Sequence, residues 1–74
     1  MKKIMLEVVI EKDRDGYFAY CPSLQGCYTQ GETYEGVVAN IKDAIRLHLD
    51  DRKAAHQRLP ALESISVATL ELVV

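Results

Sequence analysis

Four carboxylates, Glu7, Glu35, Asp43 and Glu71, are the side chains that could do acid or metal chemistry. Carboxylates on strand ends and a helix can hold two divalent ions about 3.5–4 Å apart, as in a nuclease of the ribonuclease-H type. The helical phase places Asp43 towards solvent, and Glu35 lies at the start of the predicted helix. Since their spacing gives no reason for convergence, we interpret them as solvated surface acids.

The histidine and cysteine residues form a second set of reactive groups. His48 lies within an apolar helical stripe, which favours a packed imidazole over a general base. Cys27 opens a predicted strand and is expected to act as a small buried hydrophobe. If Tyr20 pairs with Tyr28, then Cys21 faces Cys27, and a disulfide there is geometrically feasible but disfavoured in a reducing compartment. We therefore expect no catalytic residue, no metal and no cofactor.

Length and charge limit the classes of protein that this chain can be. It has 74 residues, with nine Lys and Arg against eleven Asp and Glu, for a formal net charge of −2. A chain near this length forms one domain, here residues 1–74, and buries only about 60% of its unfolded surface. It lacks the basic stripe of a nucleic-acid binder, so we expect no direct nucleic-acid contact and a basic protein partner instead.

The amino-terminal sequence indicates where the chain resides. MKKIMLEVVIEK has a short apolar run that Glu7 interrupts, which is too short and too polar for a signal peptide or a membrane span. Two cysteines with five residues between them do not form a disulfide framework or a clustered zinc site. We expect a cytoplasmic protein with reduced thiols and no membrane association.

The first half of the sequence predicts three strands. Residues 3–11 alternate apolar and polar side chains, and residues 12–16 end in Asp-Gly, which indicates a hairpin loop. Residues 17–21 form the second strand, with Glu11 predicted to lie opposite Tyr17. The turn of residues 22–26 then leads into a third strand at residues 27–30, because Pro22 cannot donate to a ladder.

The second half predicts a helix and a last strand. Thr33 is the expected N-cap, and Glu35 in the first turn is favoured by the helix dipole. Apolar residues recur with helical spacing at Tyr34, Val37, Val38, Ile41, Ala44, Ile45, His48 and Leu49. Residues 64–74 read as a strand with apolar residues on both faces, which is typical of an interior position.

These elements predict an α+β domain of βββαβ order. The last strand is expected beside the first, in a four-stranded mixed sheet of order 3-2-1-4 with the helix on one face. The other face is predicted to carry Met5, Val9, Ala19 and Cys21. One helix cannot cover both faces, so we expect a second copy to cover the open one, in a homodimer or a higher homo-oligomer.

The motif from Tyr17 through Cys21-Pro22-Ser23-Leu24-Gln25-Gly26-Cys27 to Gly31-Glu32-Thr33, followed by Asn40-Ile41-Lys42-Asp43-Ala44, resembles the HicB family of bacterial antitoxins. With the flanking strands, the resemblance covers nearly the whole chain. It implies a degraded, partial ribonuclease-H-like fold. It also implies an antitoxin that binds a small basic, RNA-cleaving toxin of the HicA type and covers its active surface.

The resemblance also suggests the contact residues. They lie around the open face, the adjacent turn and the acidic end of the helix, at Tyr17, Ala19, Pro22, Leu24, Gly26, Asp50 and Asp51. Because the sequence ends at Val74, we expect a single-domain member without the DNA-binding module that many relatives carry. Two alternatives stay open, namely an orphan module that only self-associates and a divalent-metal nuclease.

Overall fold

A computed structural model describes residues 3–58 and 64–74 of the chain, and its elements follow the order βββα. The strands are β1 (Val9–Asp13), β2 (Gly16–Tyr20) and β3 (Tyr28–Gly31), and the helix is α1 (Tyr34–Ala54). The strands form an antiparallel sheet in the order β1-β2-β3, and α1 packs on β2 and β3. The α+β class and the order of the first three strands are therefore confirmed.

The β1–β2 hairpin is tighter than the sequence suggested. Asp13 pairs with Gly16, so the turn contains only Arg14 and Asp15. The carboxylate of Asp13 accepts a hydrogen bond from the Asp15 amide at 2.8 Å, which replaces part of the backbone turn. Gly16 takes a φ of 137°, a value that an L-residue rarely adopts.

This turn shifts the register by one residue from the predicted one. Glu11 lies opposite Phe18, and the predicted pairing with Tyr17 was wrong. In a strand, a one-residue shift moves each side chain to the other face of the sheet relative to its partner. Ile10 and Ala19 therefore lie on the helix side, whereas Phe18 and Tyr20 lie on the other side.

The core lies between α1 and the sheet. Its buried residues are Ala19, Cys21, Leu24, Cys27, Val37 and Ile41. Half-buried apolar side chains surround them, at Leu6, Val8, Ile10, Tyr17, Ala44, Ile45 and Leu49. Ala19 and Val37 are both fully buried, and the small alanine side chain lets the helix approach β2 closely.

One hydrogen bond caps the start of α1, and another ties the helix to the sheet. Thr33 is the N-cap as predicted, and its hydroxyl accepts a hydrogen bond from the Gly36 amide at 2.9 Å. The side-chain amide of Asn40 donates to the Gln30 carbonyl of β3 at 2.9 Å, which ties the second turn of the helix to the sheet. Gly31 lies so close to Val37 that a Cβ added to it would meet the Val37 amide nitrogen at 2.7 Å.

Residues 64–74, which we call the C-terminal arm, differ from the prediction. They form no strand, and every residue of the arm is exposed, with Val67 at 87% and Val73 at 97% of full exposure. The predicted fourth strand and the 3-2-1-4 order were therefore wrong for the single chain, and the part of the chain that is described does not complete a ribonuclease-H-like sheet. A strand that is apolar on both faces is stable only when other elements pack on both of them. The helix α1 packs on one face of β2 and β3 only.

Candidate protein-binding site

An aromatic cluster lies on the sheet face opposite α1. It consists of Phe18, Tyr20 and Tyr28, which we call the aromatic face. The ring of Phe18 lies 6.0 Å from that of Tyr20 and 5.9 Å from that of Tyr28, in tilted and stacked arrangements. Tyr28 is 62% exposed, and no helix or strand of residues 3–58 and 64–74 lies over this cluster.

The pairing of the three strands builds the aromatic face. Tyr20 lies between Val9 on one side and Tyr28 on the other, so these three side chains form a row across the sheet. Phe18 lies in the next row on this face, between Glu11 and Gln30. Large amphipathic rings with a polar border are the composition of binding hot spots in protein interfaces.

A compact loop borders one end of this face. The amide of Leu24 donates to the Cys21 carbonyl at 3.0 Å, and the Cys27 amide donates to the Leu24 carbonyl at 3.1 Å. Leu24 is buried in the core and anchors the loop, whereas Pro22 and Gly26 are exposed. A hollow of about 360 Å³ lies between the loop and the aromatic rings, so a protruding side chain of a partner could enter there.

An acidic groove borders the other end. It has a volume of about 640 Å³ and its lining includes Asp13, Asp15, Glu32, Tyr17 and Phe18. The three carboxylates are exposed, so each contributes little alone, but together they favour the approach of a cationic surface. Phe18 lines both this groove and the hollow, which makes the aromatic face and its two borders one continuous surface.

The acidic residues at the end of the helix lie elsewhere. Tyr17 contacts Tyr34 in the first turn of α1, with ring centroids 6.1 Å apart. Asp50 is sixteen residues further along the helix, a distance of about 24 Å at 1.5 Å per residue. The structure therefore does not bring Asp50 and Asp51 into one patch with Tyr17, although both carboxylates are exposed.

The predicted open face needs a correction. Met5 is 93% exposed, and Val9 lies on the face away from the helix. Ala19 and Cys21 were misplaced by the register error, because both are buried in the core beneath α1. Of the remaining suggested contacts, Leu24 is buried as well, so it can act on a partner only by holding the loop. Whether any of these residues contacts a partner stays a prediction.

The aromatic face itself was missed by the sequence reading. The signal for it was present in the Asp-x-Asp-Gly order of residues 13–16, which favours a two-residue turn closed by an aspartate side chain. With that turn, Phe18 and Tyr20 fall on the side opposite Ile10. The choice of turn length therefore decided which aromatic residues were assigned to the core.

The residues considered for catalysis do not form a site. Glu7, Glu35, Asp43 and Glu71 are exposed, and within residues 3–58 and 64–74 no group of three His, Cys, Asp or Glu side chains is placed to hold a metal ion. His48 is half-buried. Both cysteines are free thiols, and burial, with a smaller effect of neighbouring Cys21, raises the pKa of the Cys27 thiol, which disfavours its nucleophilic thiolate form.

Among the described residues, none of the helical structure combines the length and the apolar character that crossing a membrane requires.

Comparison with known proteins places these features in context. Residues 6–71 match the family model described as "HicB_like antitoxin of bacterial toxin-antitoxin system". A UPF0150 protein of Helicobacter pylori is 41% identical over 69 residues, which cover 93% of this chain and 96% of that protein. A UPF0150 protein of Synechocystis sp. is 43% identical over 68 residues, covering 90% of this chain and 85% of that protein.

One solved structure is also similar. A chain of the "HicA3 and HicB3 toxin-antitoxin complex" superposes with a TM-score of 0.64 over 82% of this chain and 72% of that chain. The two sequences are 24% identical, so the similarity concerns the fold. The two chains therefore share the arrangement of the strands and the helix.

Proposed function

This chain belongs to the family of HicB-like antitoxins, and we propose that it neutralises a small basic toxin of the HicA type by binding to it directly. The family model, which matches nearly the full length, is the observation that carries this proposal. The described residues also offer a surface with the chemistry that such a partner needs, namely the exposed ring of Tyr28, the half-buried rings of Phe18 and Tyr20 and a neighbouring set of carboxylates.

The toxin binds on the aromatic face and its two borders. Phe18, Tyr20 and Tyr28 supply the apolar anchors, and the hollow beside Pro22 and Gly26 accepts a side chain of the toxin. Anchors of this kind account for most of the binding free energy in protein interfaces. Tyr17 also belongs to the contact, because it lines the acidic groove.

The acidic groove directs the toxin to this face. A protein that cleaves RNA must carry a positive surface, because phosphate contacts dominate its affinity for nucleic acid. Asp13, Asp15 and Glu32 attract the same surface and raise the association rate. Once bound, the antitoxin excludes RNA by occupying the surface that RNA would use. Inhibition is therefore stoichiometric and takes place in the cytoplasm, where the toxin meets its RNA.

The decisive experiment measures binding to a HicA-type toxin, made catalytically inactive for production, by isothermal titration calorimetry. Tyr28→Asp is the test variant and Leu47→Asp is its matched control, since the two residues are 62% and 67% exposed but lie on opposite sides of the domain. Placing a charge among aromatic anchors should weaken binding about 30-fold or more, against less than about threefold for the control. Active toxin in growing cells should be suppressed by the parent and the control only.

Two outcomes would overturn the proposal in different ways, and a third would reveal unfolded variants. Failure of the parent chain to bind any HicA-type toxin encoded beside it would reject the antitoxin function. Equal loss of affinity in both variants would point to unfolding, which circular dichroism checks independently. Loss in the Leu47→Asp variant alone would move the toxin to the exposed side of the helix.

A second pair of variants locates the electrostatic contribution. Asp15→Asn combined with Glu32→Gln should lower the association rate about tenfold at low salt, with the difference shrinking as salt screens the charges. Asp50→Asn combined with Asp51→Asn removes the same number of charges at the far end of α1. If this second double variant has the larger effect, the helix end and not the acidic groove steers the toxin.

Action by binding and not by catalysis is itself part of the proposal. It is supported by the absence of converging carboxylates among the described residues. Incubation of the purified chain with labelled RNA and Mg²⁺ or Mn²⁺ tests it, with Glu71→Gln as the control. Cleavage that the control variant lacks would favour the nuclease alternative.

A further inference from the structure

We propose that two copies of this chain exchange their C-terminal arms, so that residues 64–74 of each copy pair with the free edge of β1 in the other. This inference goes beyond toxin binding, and it concerns a different edge of the molecule. It rests on two parts of one chain that each lack a partner, namely an exposed apolar arm and the free edge of a sheet.

The arm is the first of these parts. Five large apolar side chains of the arm, those of Val67, Leu70, Leu72, Val73 and Val74, are each more than three-quarters exposed. Glu71 is the only charged side chain in this segment. The radius of gyration of 14.4 Å exceeds the value of about 11 Å expected for a compact chain of this length, in keeping with an arm that leaves the domain. A soluble domain rarely leaves so much apolar surface without a partner.

The edge of β1 is the second part. β1 is the outer strand of the sheet, and within the described residues no strand pairs with its free side. Regular pairing begins only at Val9, although Leu6 and Val8 already pack against the core. The side chains of Leu6 and Val8 are thus held in place while the backbone of residues 3–8 has no ladder.

The two parts fit each other. The arm has eleven residues and β1 has five, so the arm is long enough to cover the whole edge. The arm is rich in β-branched and long aliphatic residues, which favour a strand. The arm brings only one charged side chain to this edge, and the charged side chains of β1, Glu11, Lys12 and Asp13, are exposed and can stay in water while the two backbones pair, so the penalty of desolvation is small.

A second copy of this chain can supply both missing partners, an edge for the arm and a strand for the edge of β1. Twofold symmetry makes the two exchanges identical, which favours a second copy over any other partner. In the single chain the arm and the β1 edge are unpaired at the same time. Two copies related by a twofold axis satisfy both edges and both arms at once, and the assembly closes without a further free edge on β1. A toxin at the aromatic face would leave the β1 edge and the arm as they are.

The exchange can be observed directly with the full-length chain. A mixture of uniformly ¹³C,¹⁵N-labelled and unlabelled protein is recorded with an isotope-filtered nuclear Overhauser experiment. We expect contacts between Hα protons of the arm and of residues 3–13 that arise only between labelled and unlabelled chains. Contacts within one chain alone would show that the arm folds back on its own sheet, and contacts with neither would show that it stays free. Either result overturns the proposal.

Proline variants give an independent measure. Neighbouring residues in a strand direct their amides to opposite sides, so either Leu70→Pro or Glu71→Pro must remove a hydrogen bond of the new ladder. One of these two variants should raise the dimer dissociation constant at least tenfold in analytical ultracentrifugation. Ser64→Pro, at the start of the arm, is the control and should change it less than threefold. A dimer that resists both substitutions overturns the exchange.

Toxin binding separates this inference from the proposed function. Whichever proline variant dissociates the dimer should still bind the toxin with unchanged affinity, because the aromatic face is not involved. If the arm becomes protected from hydrogen exchange only after the toxin is added, the toxin and not a second copy covers it, and the exchange is rejected. If the toxin never binds but the exchange is observed, only the proposed function fails.

Discussion

Val37 and Val67 have the same side chain and opposite environments. Val37 is fully buried between α1 and the sheet, and Val67 is 87% exposed in the C-terminal arm. Both lie in segments whose apolar pattern is equally clear in the sequence. The difference shows that an apolar pattern predicts a need for cover but not the molecule that supplies it. In α1 the same chain provides the cover, and in the arm it does not.

The largest loss of stability should come from a residue at the centre of the contact between α1 and the sheet. Ile41→Ala removes a buried side chain from the helix–sheet contact and should lower the free energy of unfolding by about 3 kcal/mol. Leu47→Ala, on the exposed side of the same helix, should change it by less than about 0.5 kcal/mol. Urea denaturation measures both. Similar losses in the two variants would mean that the helix is covered on both sides.

The next largest loss of stability is expected where the backbone of Gly31 approaches that of Val37. Gly31→Ala would place a Cβ 2.7 Å from the Val37 amide nitrogen, so the start of the helix must shift, at a cost of about 2 kcal/mol or more. Gly26→Ala meets no atom within 4 Å, and its positive φ of 80° costs only about 1 kcal/mol. The thermal midpoint should fall further for Gly31→Ala. The reverse order would indicate that the loop, and not the helix contact, limits stability.

The buried thiol adds a dependence on pH. Cys27→Ala should cost about 1 kcal/mol at neutral pH through lost packing. Because burial raises the pKa of Cys27 in the folded chain, its stabilising contribution is complete below the unfolded pKa of about 8.5 and is lost as the pH rises through the higher folded value. The stability difference between parent and variant should therefore shrink above pH 9. A difference that grows there would mean that the thiolate is favoured by the fold.

The helix cap should have a smaller effect. Thr33→Ala removes the acceptor of the Gly36 amide and should cost about 1 kcal/mol, whereas Thr33→Ser keeps the oxygen and should cost less than half of that. Hydrogen exchange of the first helical turn reports the local loss. No change at Gly36 would show that water satisfies this amide equally well.

The smallest effect is expected in the arm. At concentrations where the chain is a single copy, Val67→Ala should alter the free energy of unfolding by less than about 0.5 kcal/mol, because the side chain touches little. Val37→Ala should cost several times more. A large loss for Val67→Ala in the dilute chain would show that the arm does pack on its own domain.

Local signals in the sequence predicted most of the fold. The N-cap at Thr33, the helical stripe through Val37 and Ile41, and the break at Pro22 depend on neighbouring residues, and the structure confirms all three. Their energetics are local, so a single sequence is sufficient to identify them. The family resemblance was confirmed as well, since its motif lies in this same part of the chain.

The prediction was wrong where the structure depends on pairing between separate segments of the chain. The hairpin register depended on whether Asp13 closes a two-residue turn, and the wrong choice placed Phe18 in the core and Ala19 outside it. The fourth strand needed elements packed on both of its faces, which the described part of the chain does not provide, so the apolar pattern of residues 64–74 did not produce a strand. The aromatic face was missed because of the register error, since the register decides which side chains lie on that face.

The composition of the arm has a consequence for solubility. Residues 64–74 combine high β-propensity, exposed aliphatic side chains and a single charged side chain, which is the composition of an aggregation-prone segment. A charge added to this stretch lies outside the sheet and α1, so it should raise the solubility of the protein without altering the fold.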